Sequence, residues 1–191
     1  MLPCDGDVRY HGPLFTLAEC RNITAGLLAD IAWQHDEAVI FGKRIITARQ
    51  AAWYGDSGFA YTYSGTTKHA LRWTPLLLRL RRRVQEVLHA DFNSCLLNLY
   101  ADGTQGMAWH SDDEKALGRD AVIASLSFGA ERTFRFKHRR TPEKHQLLLQ
   151  NGSLLVMQGA TQTHWLHSLP KSTRVKHPRI NLTFRSIVGQ G

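Results

Sequence analysis

The sequence predicts a single, mainly β domain with flanking α-helices, in which a sandwich or jelly-roll core follows a helical N-terminal part. Two observations support this prediction. From residue 91 onward, short apolar runs alternate with Gly and Asn turns, as is typical of sandwiches and jelly rolls. Before residue 91, two stretches carry apolar residues at helical spacing. The 191 residues suffice for one domain with a substantial core, and they contain no internal repeat or linker.

The first helix is predicted to follow a polar lead-in, residues 1–15, which ends in a short strand at Leu14-Phe15. Thr16 and Glu19 have the spacing of a capping box, in which each side chain accepts a hydrogen bond from the other residue's backbone N–H. Apolar residues then recur every four positions. We therefore expect an amphipathic helix that runs to about Gln34 and packs against a sheet.

A β-hairpin and a second helix are predicted between the first helix and residue 91. Residues 36–48 have the pattern of a hairpin whose tip is Phe41-Gly42-Lys43, and an aromatic- and glycine-rich loop follows at 50–65. Thr74-Pro75 supplies a side-chain cap and a proline at the first helical position. We expect the second helix to begin there and to end near Ala90.

The remaining strands are predicted from short apolar runs bounded by Gly and Asn. They cover residues 95–100, 122–128, 133–138, 146–149, 154–157, 164–168 and 180–188. We expect the second and third of these strands to pair around Gly129. Asn151-Gly152 predicts a type I′ hairpin turn between the fourth and the fifth.

The charge of the chain is compatible with a polyanionic partner, since the formal net charge is +8 and the pI is about 9.8. Positive residues cluster at 79–83, 137–144 and 171–179, and together they predict contacts with nucleic-acid phosphates. No apolar run could span a bilayer and no signal-peptide core is present, so we expect no membrane association. The three cysteines lack metal-type spacing, which indicates reduced thiols and a cytoplasmic protein.

Three separated residues are candidates for a metal site. His110 and Asp112 lie two positions apart, so their side chains can point the same way from an extended strand. With a nitrogen ligand from His167 they would form the facial triad of non-haem Fe(II) oxygenases, which leaves coordination positions open. A His-x-Asp pair with a distant histidine also occurs by accident. A structural zinc site is less consistent with this set, because such sites favour Cys and His in closed coordination.

The closing run PRINLTFR, residues 178–185, predicts an anion site on a strand. Because side chains alternate, its polar residues share one face and its apolar residues share the other. The polar residues are Arg179, Asn181, Thr183 and Arg185, and the apolar ones are Ile180, Leu182 and Phe184. Such a polar face in an apolar setting implies a buried anionic ligand, since the planar guanidinium of arginine holds a carboxylate through two hydrogen bonds.

Taken together, these motifs resemble the AlkB family of Fe(II)/2-oxoglutarate-dependent nucleic-acid dealkylases over residues 37–188. The shared motifs are Asn98-x-Tyr100, His110-x-Asp112, His167 and Arg179-x-Asn181-x-Thr183-x-Arg185. The segments IFGK, YGDSGFAYTYSG, HSDDE, ASLSFGA and THWLHSLP are most similar to homologues that prefer double-stranded DNA. The resemblance implies a double-stranded β-helix (jelly-roll) core at 91–188 and a nucleotide-recognition lid with a hairpin finger at 36–70.

The resemblance also implies roles for the residues of the motifs. Iron would be held by His110, Asp112 and His167, with 2-oxoglutarate and dioxygen at the open positions. The far carboxylate of 2-oxoglutarate would pair with Arg179. The residues that would help to bind this co-substrate are Asn98, Tyr100, Asn181 and Arg185.

Substrate contacts are implied at the hairpin, in the lid and after the metal ligands. Phe41 and Gly42 would form a wedge that fills the gap left by an extruded base. Tyr61, Tyr63 and Ser64 match base-pocket and phosphate-contacting positions of the family, and Arg49 could hold a phosphate. Glu114, and after it Asp113, would favour a base made cationic by N-methylation through Coulomb attraction. The substrate would be alkylated DNA, double-stranded rather than single-stranded or RNA, and the protein a monomer.

Three alternatives remain at this point. A 2-oxoglutarate oxygenase that acts on a protein or a small molecule would share the metal and co-substrate motifs. Within the nucleic-acid branch, RNA or single-stranded DNA would fit the same base-binding residues, and only the wedge favours a duplex. A basic jelly roll that binds without catalysis is disfavoured, because all three metal ligands and both arginines are present.

Overall fold

The structure, a computed structural model, describes residues 2–40, 43–56, 59–63 and 66–188, with side chains except at 36–40, 43–45, 60–63 and 66–68. It has three layers: a pair of helices, a large sheet and a smaller sheet. The strands are β1 (Asp7–Pro13), β2 (Gln34–Ile40), β3 (Lys43–Gly55), β4 (Ala60–Tyr63), β5 (Thr66–His69), β6 (Leu71–Arg72), β7 (Ser94–Tyr100), β8 (Met107–His110), β9 (Ile123–Gly129), β10 (Arg132–His138), β11 (Lys144–Leu149), β12 (Ser153–Gln158), β13 (Trp165–Leu169) and β14 (Arg179–Arg185).

The two long helices begin where their capping residues predict. In α1 (Leu17–Asp30), Thr16 Oγ1 accepts a hydrogen bond from the Glu19 N–H at 3.3 Å, and Glu19 accepts one from the Thr16 N–H at 2.8 Å. This helix ends four residues before the predicted end, because Ile31 is already extended and β2 begins at Gln34. In α2 (Pro75–Leu88), Thr74 caps the N-terminus and the left-handed His89, at φ +49°, ends the helix.

The large sheet has the order β1-β12-β9-β14-β7-β3-β2, with β6 added alongside β3. The small sheet has the order β11-β10-β13-β8, and β4 and β5 form a separate ribbon. All neighbours pair antiparallel except β3 and β6. This arrangement confirms the predicted mainly β, jelly-roll architecture. In the large sheet, the strands β1, β2 and β3 join the strands of residues 91–188.

Two of the predicted strand pairings are wrong. β9 pairs with β12 and β14 in the large sheet, whereas β10 pairs with β11 and β13 in the small one, so no hairpin forms around Gly129. Asn151-Gly152 likewise joins strands of different sheets. Only Gly152 has a positive φ (+77°), whereas a type I′ turn requires one at both positions. The tight turns carry the chain from one sheet to the other because the two inner faces must cover each other.

The strand predicted at Leu14-Phe15 is also wrong, because the strand in this region is β1 at Asp7–Pro13. β1 is an edge strand that pairs only with β12, and its mostly polar, part-exposed residues give no apolar signal. Leu14 and Phe15 pack instead against the core under the helices. The hairpin predicted at 36–48 is confirmed in its strands, since β2 and β3 pair with Ile40 opposite Lys43.

Two apolar cores hold the layers together. The helix-side core lies between the two long helices and the large sheet, and it includes Leu27, Leu80 and Leu182, all fully buried. The inter-sheet core includes Phe136 and Trp165 and lies beside the polar inner faces. None of the helices in the described ranges is long and apolar enough to cross a membrane.

Candidate active site

The predicted metal ligands come together at the open edge of the small sheet. His110 ends β8, which is an edge strand, and it lies directly opposite His167 in β13. The two Nε2 atoms are 3.1 Å apart, and Asp112 Oδ1 lies 4.0 Å from His110 Nε2. Asp112 follows the strand and is held there by a hydrogen bond from its N–H to Gln162 Oε1 at 2.9 Å. The structure therefore assembles the three side chains that could hold a metal ion.

The hydrogen bond of His110 and the burial of His167 both suit these rings to a metal. His110 Nδ1 lies 2.8 Å from the carbonyl oxygen of Ala108, so Nδ1 donates and Nε2 keeps its lone pair. Metal–nitrogen bonds of about 2.1 Å at right angles place two nitrogens roughly 3 Å apart, which matches the observed separation. Burial, and secondarily the nearby His110, lowers the pKa of His167 well below its usual range. His167 is therefore neutral, as a metal ligand must be.

A second group of potential ligands, Cys4, Asp5 and His138, also has its donor atoms within 4.8 Å of one another. In this group, the position of the proton on the His138 ring argues against a metal. His138 Nδ1 accepts the backbone N–H groups of Arg140 and Thr141 at 3.2 and 3.0 Å, so the ring proton is on Nε2. That nitrogen points at Asp5 Oδ2 at 3.5 Å and has no lone pair to offer. We therefore assign the metal to His110, Asp112 and His167.

The polar face of β14 lies on the inner side of the large sheet, as the alternation predicted. Arg179 is 2% exposed and donates to Ser127 Oγ and to Asn181 Oδ1, both at 2.9 Å. Asn181 in turn donates to Thr183 Oγ1 at 2.8 Å. The opposite face of β14 is fully buried under the helices. This strand therefore presents an ordered row of donors between the two sheets.

Arg179 lacks a protein counterion among the described residues, whereas Arg185 at the other end of the row pairs with Glu114. Within the described ranges, no carboxylate pairs with Arg179; its guanidinium lies 5.6 Å from the centre of the buried Tyr100 ring. The Nε of Arg179 is buried and has no hydrogen-bond partner among the residues that the structure describes. Burial lowers the pKa of Arg179 to about 10, which leaves it charged at neutral pH. An unpaired buried cation is costly, so the site fits an anion such as a carboxylate.

Asn98 and Arg49 connect the neighbouring strands to this row. Asn98 is buried in β7 opposite Asn181 of β14, and its Oδ1 accepts a hydrogen bond from Arg49 Nε at 2.9 Å. Asn98 therefore has its amide nitrogen left to donate to a ligand. Arg49, predicted as a phosphate contact, is thus engaged beside the co-substrate residues. Its role towards a phosphate stays a prediction.

The two carboxylates after the metal ligands lie in different surroundings. Glu114 accepts a hydrogen bond from Arg185 Nη1 at 3.0 Å. Its Oε2 and Arg185 Nε are both buried and have no hydrogen-bond partner in the described part of the chain. Asp113 has its side chain 64% exposed and pairs with Arg139 at 3.5 Å. The geometry therefore brings Glu114, and not Asp113, to the polar face of β14.

The predicted lid and finger residues lie in less well-described parts of the chain. Phe41, Gly42 and Ser64 lie outside the described residues. Tyr61 and Tyr63 belong to β4 of the separate ribbon, and their side chains are not described. The substrate contacts of all five stay predictions.

Sequence reasoning missed several residues that build the site. Ser125 and Ser127 interrupt the apolar β9 at alternate positions, and they support Asn181 and Arg179 at 2.9 Å. That alternation was a usable signal. Arg132 is buried and donates to four backbone carbonyls, those of Asp102, Gly103, Gln105 and Pro170, at 2.8 to 3.5 Å. It thereby ties the loop before β8 to the segment after β13, the two strands that carry the histidine ligands.

The comparisons with known proteins agree with this geometry. The chain matches the 2OG-Fe(II) oxygenase superfamily over residues 7–185. It is 48% identical to DNA oxidative demethylase ALKBH2 of Mus musculus over 157 residues, which are 78% of this chain and 66% of the relative. It is 40% identical to the human alpha-ketoglutarate-dependent dioxygenase alkB homolog 3 over 171 residues, 84% of this chain and 59% of the relative.

A solved structure of OsALKBH1 aligns with a TM-score of 0.66 at 12% identity, covering 97% of this chain and 98% of that one, which supports the fold alone. The chain spans 66%, 56% and 63% of the length of three curated relatives. The superfamily implies Fe(II), with 2-oxoglutarate and dioxygen as co-substrates, and two imidazoles together with the Asp112 carboxylate fit that metal. The chain belongs to the 2OG-Fe(II) oxygenase superfamily and, within it, to the AlkB family.

Proposed function

We propose that the protein oxidatively demethylates N-alkylated bases in DNA, of the 1-methyladenine and 3-methylcytosine type, and so repairs them by direct reversal. The observation that carries the proposal is that an open metal triad lies in the same site as Arg179, a buried cation with no carboxylate partner among the described residues. The triad fits Fe(II), and Arg179 fits the carboxylate of 2-oxoglutarate. The names of the relatives, DNA oxidative demethylase ALKBH2 among them, support DNA as the substrate.

The chemistry requires a metal held with open positions. When bound, Fe(II) with 2-oxoglutarate and dioxygen supplies the oxidant that hydroxylates the N-methyl carbon, with succinate and carbon dioxide as co-products. The hydroxymethyl group then leaves as formaldehyde and restores the base. His110, Asp112 and His167 would hold the ion, and the packing of His167 against Phe134, with ring centres 5.3 Å apart, fixes the orientation of that ring.

The residues of β14 and β7 bind and orient the co-substrate. Arg179 holds the far carboxylate, while Asn181 and Ser127 fix the guanidinium in place. Arg49 donates to the amide oxygen of Asn98, so the amide nitrogen of Asn98 would be the group that donates to the co-substrate. Tyr100 is buried beside Arg179, and burial raises the pKa of its phenol, so the hydroxyl keeps its proton and can donate a hydrogen bond.

Base recognition is assigned to Glu114. Arg185 anchors one carboxylate oxygen, and the other is buried and has no partner among the described residues. That oxygen can accept a hydrogen bond from the exocyclic amino group of adenine or cytosine. Its charge also favours a base made cationic by methylation, since the attraction is strong where water is excluded.

Three finer statements belong to this proposal. The substrate is a duplex, which rests on the predicted Phe41 wedge; the protein acts as a monomer; and it is cytoplasmic, which the three unpaired thiols support. RNA and single-stranded DNA are the competing substrates. Replacement of Phe41 by alanine should reduce turnover of duplex substrates more than that of single strands, and an equal loss on both would remove the wedge.

The test of the reaction is formaldehyde release from an oligonucleotide that contains 1-methyladenine, with and without Fe(II) and 2-oxoglutarate. We expect release that requires both additives and that is lost in His110→Ala. His164→Ala is the matched control, because His164 lies near the site in sequence but contacts His138 and is not a ligand. Turnover of 2-oxoglutarate without formaldehyde would retain the oxygenase and reject the methylated base as its substrate.

A further inference from the structure

A cavity of about 530 Å³ opens between α1 and α2. The two helices cover the face of the large sheet that points away from the metal ligands, so the cavity lies across that sheet from the active site. Its wall is formed by the link before α1, by one face of α1 and by one face of α2. We call it the interhelix cavity. Its volume is enough for a bulky side chain and part of the backbone that carries it.

The interhelix cavity lies beside a point where the two helices approach closely. A Cβ added at Gly26 of α1 would lie 2.9 Å from Leu76 Cδ2 of α2. Ile23 precedes Gly26 by about one turn, Arg79 follows Leu76 by about one turn, and both line the cavity. The helices therefore pack tightly at one end and leave room for a ligand at the other.

Part of the cavity wall is apolar. Leu14, Phe15 and Ile23 line it, and all three belong to the helix-side core. The Phe15 ring packs against that of the buried Phe128 with ring centres 5.6 Å apart, yet Leu14 and Phe15 are only partly buried. The helix-side core is thus open to solvent at this point, and an apolar side chain that entered the cavity would cover it.

Two guanidinium groups lie next to this apolar wall. Arg79 and Arg83 are exposed and four positions apart on α2, so they share one face of the helix. No ion pair within the described ranges includes Arg79. Arg83 has an exposed partner, Glu86 at 3.8 Å, and such pairs contribute little. Both arginines are therefore available to bind an anionic group.

Glu19 is the one carboxylate among the described residues that line the cavity. Its Oε2 accepts hydrogen bonds from the N–H and the hydroxyl of Thr16, both at 2.8 Å, so it is engaged in the cap of α1. These hydrogen bonds, and after them the charges of Arg83 and Arg79, hold the pKa of Glu19 below its usual value. The cavity therefore carries two positive charges and one negative charge, which favours an acidic ligand but not an unbroken row of phosphates.

We propose that the interhelix cavity binds an acidic peptide segment of a protein partner, in which a bulky apolar side chain lies between carboxylates. The apolar side chain covers the wall at Phe15, and the carboxylates pair with Arg79 and Arg83, whose planar forks suit them. The exposed Asn22 amide, which also lines the cavity, hydrogen-bonds to the peptide main chain. A peptide is favoured over nucleic acid because a phosphate backbone has no apolar side chain and would meet Glu19.

This inference goes beyond the proposed function and does not depend on it. The positive cluster at 79–83 lies in the helix layer, away from the metal ligands. A partner bound there would hold the protein from the helix side and leave the active site open. The structure thus offers a route by which another protein can place this one on its substrate.

The test measures the binding of fluorescent synthetic peptides of about 12 residues by anisotropy. The first peptide has one phenylalanine between two pairs of glutamates. The second has serine in place of the phenylalanine, and the third has glutamines in place of the glutamates. We expect the first peptide to bind, and each of the other two to bind at least about tenfold more weakly, because each lacks one of the two features that the cavity recognises.

Substitutions on α2 then locate the binding site. R79Q/R83Q should weaken binding of the first peptide about tenfold and reduce its dependence on salt, since two charge pairs are lost. Arg82→Gln is the matched control, because Arg82 is an exposed cation of the same cluster that does not line the cavity. It should change the Kd by less than about twofold.

Four results would overturn the proposal. Equal weakening by R79Q/R83Q and by Arg82→Gln would show a general attraction to a basic helix. Equal binding of the first and second peptides would show that the apolar wall is not used. An oligothymidylate of about 12 nucleotides that displaces the first peptide as well as the unlabelled peptide does would make nucleic acid the occupant. Absence of binding up to about 1 mM of the first peptide would reject the site itself. None of these readouts uses formaldehyde release, so failure of the proposed reaction would leave the result intact.

Discussion

Replacement of Arg179 by methionine tests the assignment of the co-substrate site. Methionine removes the charge and the two-pronged donor but keeps an apolar chain of similar length. Two charge-assisted hydrogen bonds to a carboxylate, at about 1.5 kcal/mol each, would be lost, which is about 3 kcal/mol in total. This corresponds to roughly a hundredfold weaker binding of 2-oxoglutarate. Arg179→Lys keeps the charge and one donor, so we expect a loss of about tenfold.

The free energy of unfolding of the ligand-free protein should behave differently. Arg179 is buried without a carboxylate partner, and replacement of such a cation by an apolar residue is often neutral or stabilising. We therefore expect the unfolding free energy of Arg179→Met to stay within about 1.5 kcal/mol of that of the unsubstituted protein, despite the loss of the hydrogen bonds to Ser127 and Asn181.

The assay is calorimetric titration of 2-oxoglutarate into the Mn(II)-loaded protein, together with urea unfolding of the metal-free protein. Arg82→Met is the control, because it makes the same chemical change at an exposed position of α2. An unchanged Kd in Arg179→Met would refute the assignment. A Kd that rises only together with a large loss of stability would show that Arg179 acts by holding the fold.

Three further outcomes follow from the packing and the charges. Burial lowers the pKa of His167, so the unfolded chain binds a proton at this residue more readily than the folded protein does. As the pH is lowered past about 6.5, the unfolding free energy of the metal-free protein should therefore decrease. The decrease should be less steep in His167→Gln. Equal slopes in urea titrations of the two proteins would contradict this. Leu182→Ala should cost about 2–5 kcal/mol in urea unfolding, because Leu182 is fully buried under the helices; a cost under about 1 kcal/mol would mean that this core is loosely packed. Gly129→Ala should lower thermal stability by more than Gly12→Ala does. Both glycines have positive φ, but of the two only Gly129 has a carbonyl oxygen, that of Pro178, where a Cβ would lie. Equal losses of stability in the two variants would exclude the clash.

The parts of the fold that local chemistry determines could be predicted from the sequence. Thr16 and Thr74 mark helix starts because their hydroxyls satisfy backbone N–H groups within one turn. The two faces of β14 follow from alternation alone. The choice of strand partners could not be predicted in the same way. An apolar run such as β9 indicates burial, but it does not say which strand lies beside it, so the turn residues at Gly129 and Gly152 predict hairpins that do not form.

In the candidate site, too, local patterns predict some residues, whereas only the tertiary structure shows others. His110, Asp112, His167 and the β14 arginines form recognisable spacings, and the structure brings them together. Glu114 and Asp113 are adjacent in sequence, and only the tertiary structure shows that Glu114 reaches Arg185. Arg132 had no recognisable signal, because its partners are backbone carbonyls and leave no pattern in the amino-acid sequence.

The contacts of Arg132 have a consequence for how this protein can evolve. Because one guanidinium holds the loop at 102–105 and the segment at Pro170 through main-chain oxygens, the side chains of both segments are not needed for that support. Apart from Gly103, where a Cβ would meet the carbonyl oxygen of Ser172, the side chains of these segments can change while Arg132 still holds their main chain. New substrate preferences can thus arise on these segments without a matching loss of catalytic geometry, provided that Arg132 is retained.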